Sequence, residues 1–351
     1  MNYTVANADV QYLGAGQTKV ETFTVLSADG TSHDIVITIT GTNDVPVIAG
    51  DDTGAVTEDA STPNLTDTGT LTIVDADGGQ AVFQTTGITS SAGALGSLSI
   101  TSAGAWAYTV ANADVQYLGA GQTKVETFTV LSADGTSHDI VITITGTNDV
   151  PVIAGDDTGA VTEDASTPNL TDTGTLTIVD ADGGQAVFQT TGITSSAGAL
   201  GSLSITSAGA WVYTVANADV QYLGAGQTKV ETFTVLSADG TSHDIVITIT
   251  GTNDVPVIAG DDTGAVTEDA STPNLTDTGT LTIVDADGGQ AVFQTTGITS
   301  SAGALGSLSI TSAGAWAHIQ SPMRTYNTWV RVRPRSKPLP CSVPMARAMT
   351  S

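Results

Sequence analysis

The acidic residues of this chain are gathered into short clusters, and the chemistry they suggest is the capture of a hard cation. One stretch holds Asp51-Asp52, Glu58-Asp59, Asp67, Asp75-Ala76-Asp77, Asp114, Asp134, Asp139 and Asp149. Ca2+ takes roughly six to eight oxygens from carboxylates, amides and backbone carbonyls. An Asp-x-Asp pair on an extended segment sends both carboxylates to the same side. Asn148-Asp149 is expected to meet Glu163-Asp164 of the following domain. Taken singly, each Asp, Asn or Gly is equally an ordinary turn former, but the charge balance favours cations. All 36 acidic residues lie within 1–317, against only Lys19, Lys124 and Lys229, a net charge of −33. Such a region repels itself unless cations join it, and it excludes nucleic acid as a partner. The helix-loop calcium spacing, Asp-x-Asp-x-Asp-Gly with a closing Glu, is missing.

Other chemistries are weaker. His33, His138 and His243 recur once each in a Thr-Ser-His-Asp stretch and read as turn residues rather than zinc ligands. Trp106 and Trp211 offer stacking platforms for a sugar, so a carbohydrate- or matrix-binding module is the alternative function, although alternate aromatics in a hairpin are more often core. Paired carboxylates would suit a glycosidase, but a repeated chain has no unique cleft. No Ser-His-Asp or Cys-His arrangement is present. The glycines of Leu118-Gly119-Ala120-Gly121 lack the Lys and helix of a phosphate loop. The reading is therefore non-enzymatic.

The elements that must position these acids come in a long repeat. Tyr3, Tyr108 and Tyr213 head the same text, a period of 105 residues, and beyond residue 3 the only change between copies is Ala107 to Val212. This is the size of one β-sandwich domain. The phase gives the second half of a repeat at 1–49, complete repeats at 50–154 and 155–259, and the first half of another at 260–317. The two halves together make one repeat, and each alone leaves a core face uncovered.

Within a complete repeat, alternation and turn residues predict about seven strands: Ala55–Thr57, Leu71–Val74, Ala81–Thr85, Leu98–Thr101, Trp106–Val110, Val125–Leu131 and Ile140–Thr145. A helical turn capped by Asn112 is expected between the fifth and sixth. The fold class is all-β, a rod of tandem antiparallel sandwiches. Between repeats stands Gly41-Thr42-Asn43-Asp44-Val45-Pro46-Val47-Ile48-Ala49-Gly50-Asp51-Asp52, copied at 146–157 and 251–262. Its Pro restricts the backbone and its Asn and Asp offer oxygens, so it reads as a stiff joint.

Residues 318–351 form a non-homologous basic tail with six of the nine basic residues and the lone Cys341. Codons for the repeat's Tyr-Thr-Val-Ala-Asn-Ala-Asp-Val-Gln-Tyr-Leu can be chosen that, read one base later, spell Ile319-Gln320-Ser321-Pro322-Met323-Arg324-Thr325-Tyr326-Asn327-Thr328-Trp329. The tail thus reads as a frame-shifted repeat. Met1-Asn2-Tyr3-Thr4-Val5 has neither the basic start nor the apolar core of a signal peptide, and no apolar run is long enough to span a bilayer.

Five motifs in order carry a family resemblance: Gly-Thr-Asn-Asp-Val-Pro-Val-Ile, Ile73-Val74-Asp75-Ala76-Asp77-Gly78, Trp106-Ala107-Tyr108-Thr109-Val110, Tyr117-Leu118-Gly119-Ala120-Gly121-Gln122 and Asp134-Gly135-Thr136. Residues 1–317 resemble the VCBS repeat, a bacterial cadherin-like domain of giant secreted adhesins. The resemblance implies cadherin- or immunoglobulin-like Greek-key sandwiches acting as extenders of repeats-in-toxin adhesins in cell adhesion and biofilm. It implies an extracellular or bacterial cell-surface location, reached by type I secretion. The partners it implies are calcium, neighbouring repeats, and host, abiotic or polysaccharide surfaces. It carries Ca2+ binding to Asn43, Asp44, Asp51, Asp52, Glu58, Asp59, Asp75 and Asp77, to Asn148, Asp149, Asp156, Asp157, Glu163, Asp164, Asp180 and Asp182, and to Asn253, Asp254, Asp261, Asp262, Glu268, Asp269, Asp285 and Asp287.

Overall fold

The computed structural model describes residues 2–268, 270–271 and 273–320. Asp269 and the tail from 321 onward, with Cys341, lie outside the described residues. The chain divides into two compact units. The first is Met1–Ile153 with Ile178–Val187 and Ser237–Thr241, and the second holds the remainder.

The first unit contains β1 (Thr18–Leu26), β2 (Ser32–Thr40), β3 (Val47–Gly50), β4 (Thr53–Thr57), β5 (Asn64–Val74), β6 (Thr89–Ser90), β7 (Ser97–Ile100), β8 (Ala105–Ala111), β9 (Thr123–Leu131) and β10 (Ser137–Thr145). Strands β3 to β10 make one complete repeat of two sheets, ordered β4-β10-β9-β6 and β3-β5-β8-β7. Strands β9 and β10 are a hairpin turned by Asp134-Gly135, where Gly135 takes φ 91°. The all-β expectation holds, but pairing is not wholly antiparallel. Strand β4 runs parallel to β10, from Thr53 opposite Val141 to Thr57 opposite Thr145.

Strict alternation builds the core. Phe128, Val130, Ile140, Ile142 and Ile144 point inward and are buried, while the residues between them face outward. They meet Leu65, Leu71, Trp106, Tyr108 and Val110 of the other sheet. Each such side chain contributes about 1.5–3 kcal/mol on burial. Gly69 makes room for the indole, since a Cβ there would stand 2.4 Å from Trp106. One inward position breaks the apolar pattern. Glu126 is fully buried and accepts hydrogen bonds from the N–H of Leu95 (2.6 Å), the N–H of Gly96 (3.1 Å) and the hydroxyl of Tyr108 (2.9 Å). Burial, with Glu126 alongside, pushes the Tyr108 hydroxyl well above its ordinary value.

Two local expectations are corrected. Ala81–Thr85 is not a strand: Phe83 makes one isolated bridge to Ser132 and plugs the core. The turn at Asn112–Asp114 is 3-10, its N-cap is Ala111, and Asn112 does not cap it. Strand β3, inside the joint, pairs with β5, Val47 opposite Val74.

The rest of the chain repeats the plan with β11 (Val152–Gly155), β12 (Thr158–Thr162), β13 (Asn169–Val179), β14 (Thr194–Ser195), β15 (Ser202–Ile205), β16 (Ala210–Ala216), β17 (Thr228–Leu236) and β18 (Ser242–Thr250). In the second unit β12-β18-β17-β14 forms one sheet. The final half repeat supplies β19 (Val257–Gly260), β20 (Thr276–Val284), β21 (Gly306–Ile310) and β22 (Ala315–Gln320), ordered β19-β20-β22-β21. Strand β22 runs past Ala317 into the tail: His318 sits opposite Asp277, as Tyr108 sits opposite Asp67.

Candidate metal centre

Acids converge at the joint that follows Thr145. As β10 ends, the Thr147 N–H donates to Glu58 Oε2 at 2.8 Å. Gln116 holds the same group from its other side, donating to Glu58 Oε1 at 2.9 Å and to Asp59 Oδ1 at 3.0 Å. Asn112 accepts the Asp59 N–H (2.9 Å) and donates to Asp59 Oδ1 (2.8 Å). Its side chain is spent on Asp59, which is why the 3-10 turn goes uncapped. Asp59 itself sits at φ 59°, the left-handed region that Asn, Asp and Gly tolerate best. Glu58 is 1% exposed.

The following repeat adds its own acids to the same place. The Asp149 N–H donates to Asp182 Oδ2 at 3.2 Å, and the Asp182 N–H donates to Asp180 Oδ1 at 2.9 Å. The Gly183 N–H donates to the Tyr117 carbonyl at 2.9 Å. Asn148 Nδ2 donates to Asp239 Oδ2 at 3.2 Å. Six carboxylates (Glu58, Asp59, Asp149, Asp180, Asp182 and Asp239) thus belong to one joint within one compact unit.

The electrostatics are those of crowded like charges. Burial raises Glu58, Asp149 and Asp180 above their ordinary values, and neighbouring carboxylates add to it: Asp149, Asp59 and Asp182 around Glu58, and Asp59, Asp182 and Asp180 around Asp149. Asp239 goes the other way. Burial pushes it up, but donors from Ser237, Asn148 and Thr241 outweigh that and hold it at about 2. No Lys or Arg forms an ion pair with this joint among the described residues; their one Lys–acid pair is Lys19 with Glu21.

The other joints are partial copies. The first has Asp44, Asp75 and Asp77, with the Asp44 N–H on Asp77 Oδ2 at 3.1 Å and Asn43 Nδ2 on Asp134 Oδ2 at 3.0 Å. The third has Glu163, Asp164, Asp254, Asp285 and Asp287, with the Thr252 N–H on Glu163 Oε2 at 2.8 Å and the Asp254 N–H on Asp287 Oδ2 at 3.3 Å. In 50–154 and 155–259 the Thr-Glu-Asp therefore serves the joint at the C-terminal end of its own repeat, so Glu163-Asp164 joins Thr252 and Asp254 rather than Asn148-Asp149. Glu268, whose repeat is only a half, is exposed.

The Asp-Asp pairs are engaged elsewhere. Trp106 Nε1 donates to the Asp51 carbonyl at 2.6 Å. Asp52 Oδ2 lies 3.4 Å from His138 Nε2, and Asp157 repeats this with His243 at 3.4 Å. Asp156 and Asp261 likewise accept from Trp211 and Trp316. Sequence reasoning missed Asn112 and Gln116 as supports, and Asp239 as a member, because each lies far in sequence from the acids it meets.

A hard cation is tested by what the acids leave undone. Asp149 Oδ2, Asp180 Oδ2 and Asp182 Oδ1 are buried without a hydrogen-bond partner, as are Asp75 Oδ2, Asp77 Oδ1, Asp254 Oδ2 and Asp287 Oδ1. Buried polar atoms are nearly always paired, so oxygen-only orphans in an acidic joint fit a calcium ion by chemistry. Among the described residues, no group of three or more Asp, Glu, His or Cys is drawn together closely enough to hold a metal ion. The sugar platforms fare worse: Trp106 and Trp211 are 2% and 1% exposed, because both indoles face the sandwich core.

Fold and joint together define a tandem β-sandwich repeat protein whose acids are concentrated where repeats meet. The family model of the bacterial cadherin-like domain matches residues 43–146 and 148–251, and the chain belongs to that family. Such domains are typically extracellular and non-enzymatic, generally bind calcium, and associate with neighbouring repeats. Among solved structures, the chain is similar to PcdhgB3 EC1-4 (13% identity, 89% of this chain and 76% of that chain, TM-score 0.37). It is also similar to the protocadherin GammaB4 extracellular domain (16%, 89% and 49%, 0.38) and to mouse clustered PcdhgC3 EC1-3 (14%, 71% and 81%, 0.34). No curated protein sequence matches the chain. No helix among the described residues is long and apolar enough to cross a membrane.

Proposed function

We propose that the chain is a non-enzymatic, calcium-stiffened extender from a bacterial cell-surface or secreted adhesin of the VCBS type, serving adhesion and biofilm and exported by type I secretion. The observation that carries this reading is the set of buried, unpartnered carboxylate oxygens at Asp149, Asp180 and Asp182. Residues Glu58, Asp59, Asp149, Asp180 and Asp182 would hold the ion, with Asp239 and Asn148 beside them. The ion would supply the positive charge that the joint lacks. The protein's own residues do the positioning: Gln116 and Asn112 fix the Glu58-Asp59 pair, and the Asp149 N–H fixes Asp182.

Because the acids come from both sides of the joint, a shared ion would lock the angle between repeats. Binding to the folded state alone stabilises it by RT ln(1 + [L]/Kd) per site, about 2.7 kcal/mol at a hundredfold excess over Kd. Calorimetric titration of chelator-stripped protein with CaCl2 tests this, alongside melts with and without chelator. Heat of binding and a higher melting temperature are expected. A flat titration with superimposed melts rejects the reading.

A further inference from the structure

The first complete repeat holds three asparagines, Asn64, Asn112 and Asn148, and two of them are engaged. Asn112 is buried and spends both ends of its amide on Asp59. Asn148 donates to the Asp149 carbonyl at 2.9 Å and to Asp239 at 3.2 Å. Asn64 is exposed. Ser61 Oγ donates to its backbone carbonyl at 2.6 Å, while its side-chain amide has no partner among the described residues. It also opens the triplet Asn64-Leu65-Thr66, with a hydroxyl two residues on, where Asn112 and Asn148 have Asp114 and Val150. Asn169-Leu170-Thr171 repeats the triplet with Asn169 and Thr171 exposed.

Strand β5 presents this triplet to solvent. Asn64 and Thr66 point outward, opposite Ala111 and Thr109 of β8, and Leu65 between them is buried in the core. The triplet is laddered on one side only, because β3 joins β5 from Leu71 onward. Among the described residues its other backbone edge pairs with no strand, and an extended segment with a free edge is what an enzyme can grip.

We propose that Asn64 and Asn169 are acceptors for an N-linked sugar. Asn-x-Ser/Thr with a middle residue other than Pro is the acceptor pattern of asparagine glycosylation, and it needs a surface position. The donor is a sugar activated as a diphosphate ester. A bond forms between Asn64 Nδ2 and the anomeric carbon, and the bond from that carbon to the diphosphate oxygen breaks. The diphosphate leaves with the electron pair, and the amide nitrogen gives up one proton to a base of the transferase. The site uses none of the joint's acids but stands beside them: the Asn112 N–H donates to the Pro63 carbonyl at 3.0 Å, and Asn112 holds Asp59. A bulky sugar there covers the outer face of the β5–β8 pair next to the joint. The pattern also occurs at Asn2-Tyr3-Thr4, which has no copy in the other repeats, and at Asn274-Leu275-Thr276, where Asn274 is half-buried.

Peptide mass mapping of the folded 351-residue protein tests this. One arm supplies a soluble asparagine glycosyltransferase with a nucleotide-activated hexose; the other supplies an oligosaccharyltransferase with its lipid-diphosphate sugar. Cleavage after Lys19, Lys124 and Lys229 keeps the sites apart, since fragments 20–124 and 125–229 differ in mass through Ala107 and Val212. Sugar is expected on Asn64 and Asn169, and the arm that places it there identifies the carrier. Thr66→Val keeps a β-branched residue on an exposed strand position, so the repeat should fold as before. It is expected to strip the sugar from 20–124 and leave 125–229 modified, which serves as the control for enzyme and fold. A protein left bare at both residues by both donors overturns the proposal. Sugar on Asn112 or Asn148 in place of Asn64 overturns it too, as does sugar on Asn64 that survives Thr66→Val.

Discussion

Asp182→Asn should act in opposite directions with and without calcium. Asp182 is 1% exposed, its Oδ2 accepts from Asp149 at 3.2 Å and Gln185 at 3.0 Å, and its Oδ1 has no partner. The amide keeps an oxygen for the Asp149 N–H and removes one charge from six crowded carboxylates. In chelator the variant should therefore be as stable as wild type or slightly more so. In calcium it loses a charged ligand. If wild type at a hundredfold excess over Kd gains about 2.7 kcal/mol, a tenfold weaker site gains about 1.4 and a hundredfold weaker one about 0.4. The deficit, roughly 1.3–2.3 kcal/mol, is worth about 5–10 °C in a repeat of this size. Differential scanning calorimetry in CaCl2 and in chelator reads both arms. An equal drop in melting temperature under the two conditions would refute the argument, because a purely structural role for Asp182 makes that pattern and a ligand role does not.

Acid titration of the metal-free protein should give a stability maximum. Glu58, Asp149 and Asp180 are raised in the folded state, so each destabilises fully above its folded value, and this penalty is gone below the ordinary values of 4.5 and 3.8. Asp134 and Asp239 are held near 2, so what they add is whole above 3.8 and is lost toward 2. Melts in chelator should rise from neutral pH to about pH 4 and then fall; a monotonic decline from neutral pH would contradict the crowding described. Glu126→Ala should cost about 3–5 kcal/mol, since it leaves two N–H groups and the Tyr108 hydroxyl unpaired around a cavity, whereas Glu126→Gln should keep most of them. Urea unfolding of the two variants compares these, and equal losses would count against the hydrogen-bond argument. Asp59→Ala should be about 1–2 kcal/mol less stable in chelator than Asp59→Asn, because Asn tolerates φ 59° and keeps an oxygen for Asn112 and Gln116, and Ala does neither; indistinguishable urea midpoints would show that neither the backbone conformation nor those hydrogen bonds weigh there.

The core strands were legible because period-two alternation is enforced wherever one face is buried, and Ile140, Ile142 and Ile144 are a clean instance. The same rule hid Glu126. Its position says core and its charge says surface, and only the three donors across the sandwich reconcile them. Ala81–Thr85 has the composition of a strand, but its donors go to scattered carbonyls: Val82 to Gln80, Phe83 to Ser102 and Gln84 to Leu131. Strand β5 was underread at its start, where Asp67 and Gly69 look like loop residues and in fact face Tyr108 and Trp106 across the sheet. At the joint, the types of acid were visible in sequence, but their grouping was not. Glu58 and Thr147 stand 89 residues apart, and only the return of β10 alongside β4 brings them together.

That return has a mechanical consequence. Strand β4, which follows the short β3 at the start of the repeat, and β10, which ends it, run side by side in the same direction over five residue pairs. Tension applied through neighbouring repeats pulls β4 backward and β10 forward along their common axis. The hydrogen bonds between them are then strained together in shear rather than opened one after another from an end. A repeat wired in this way resists stretching most strongly along the line on which the chain would be drawn taut, and its pairing acts as a clamp before the core is disturbed.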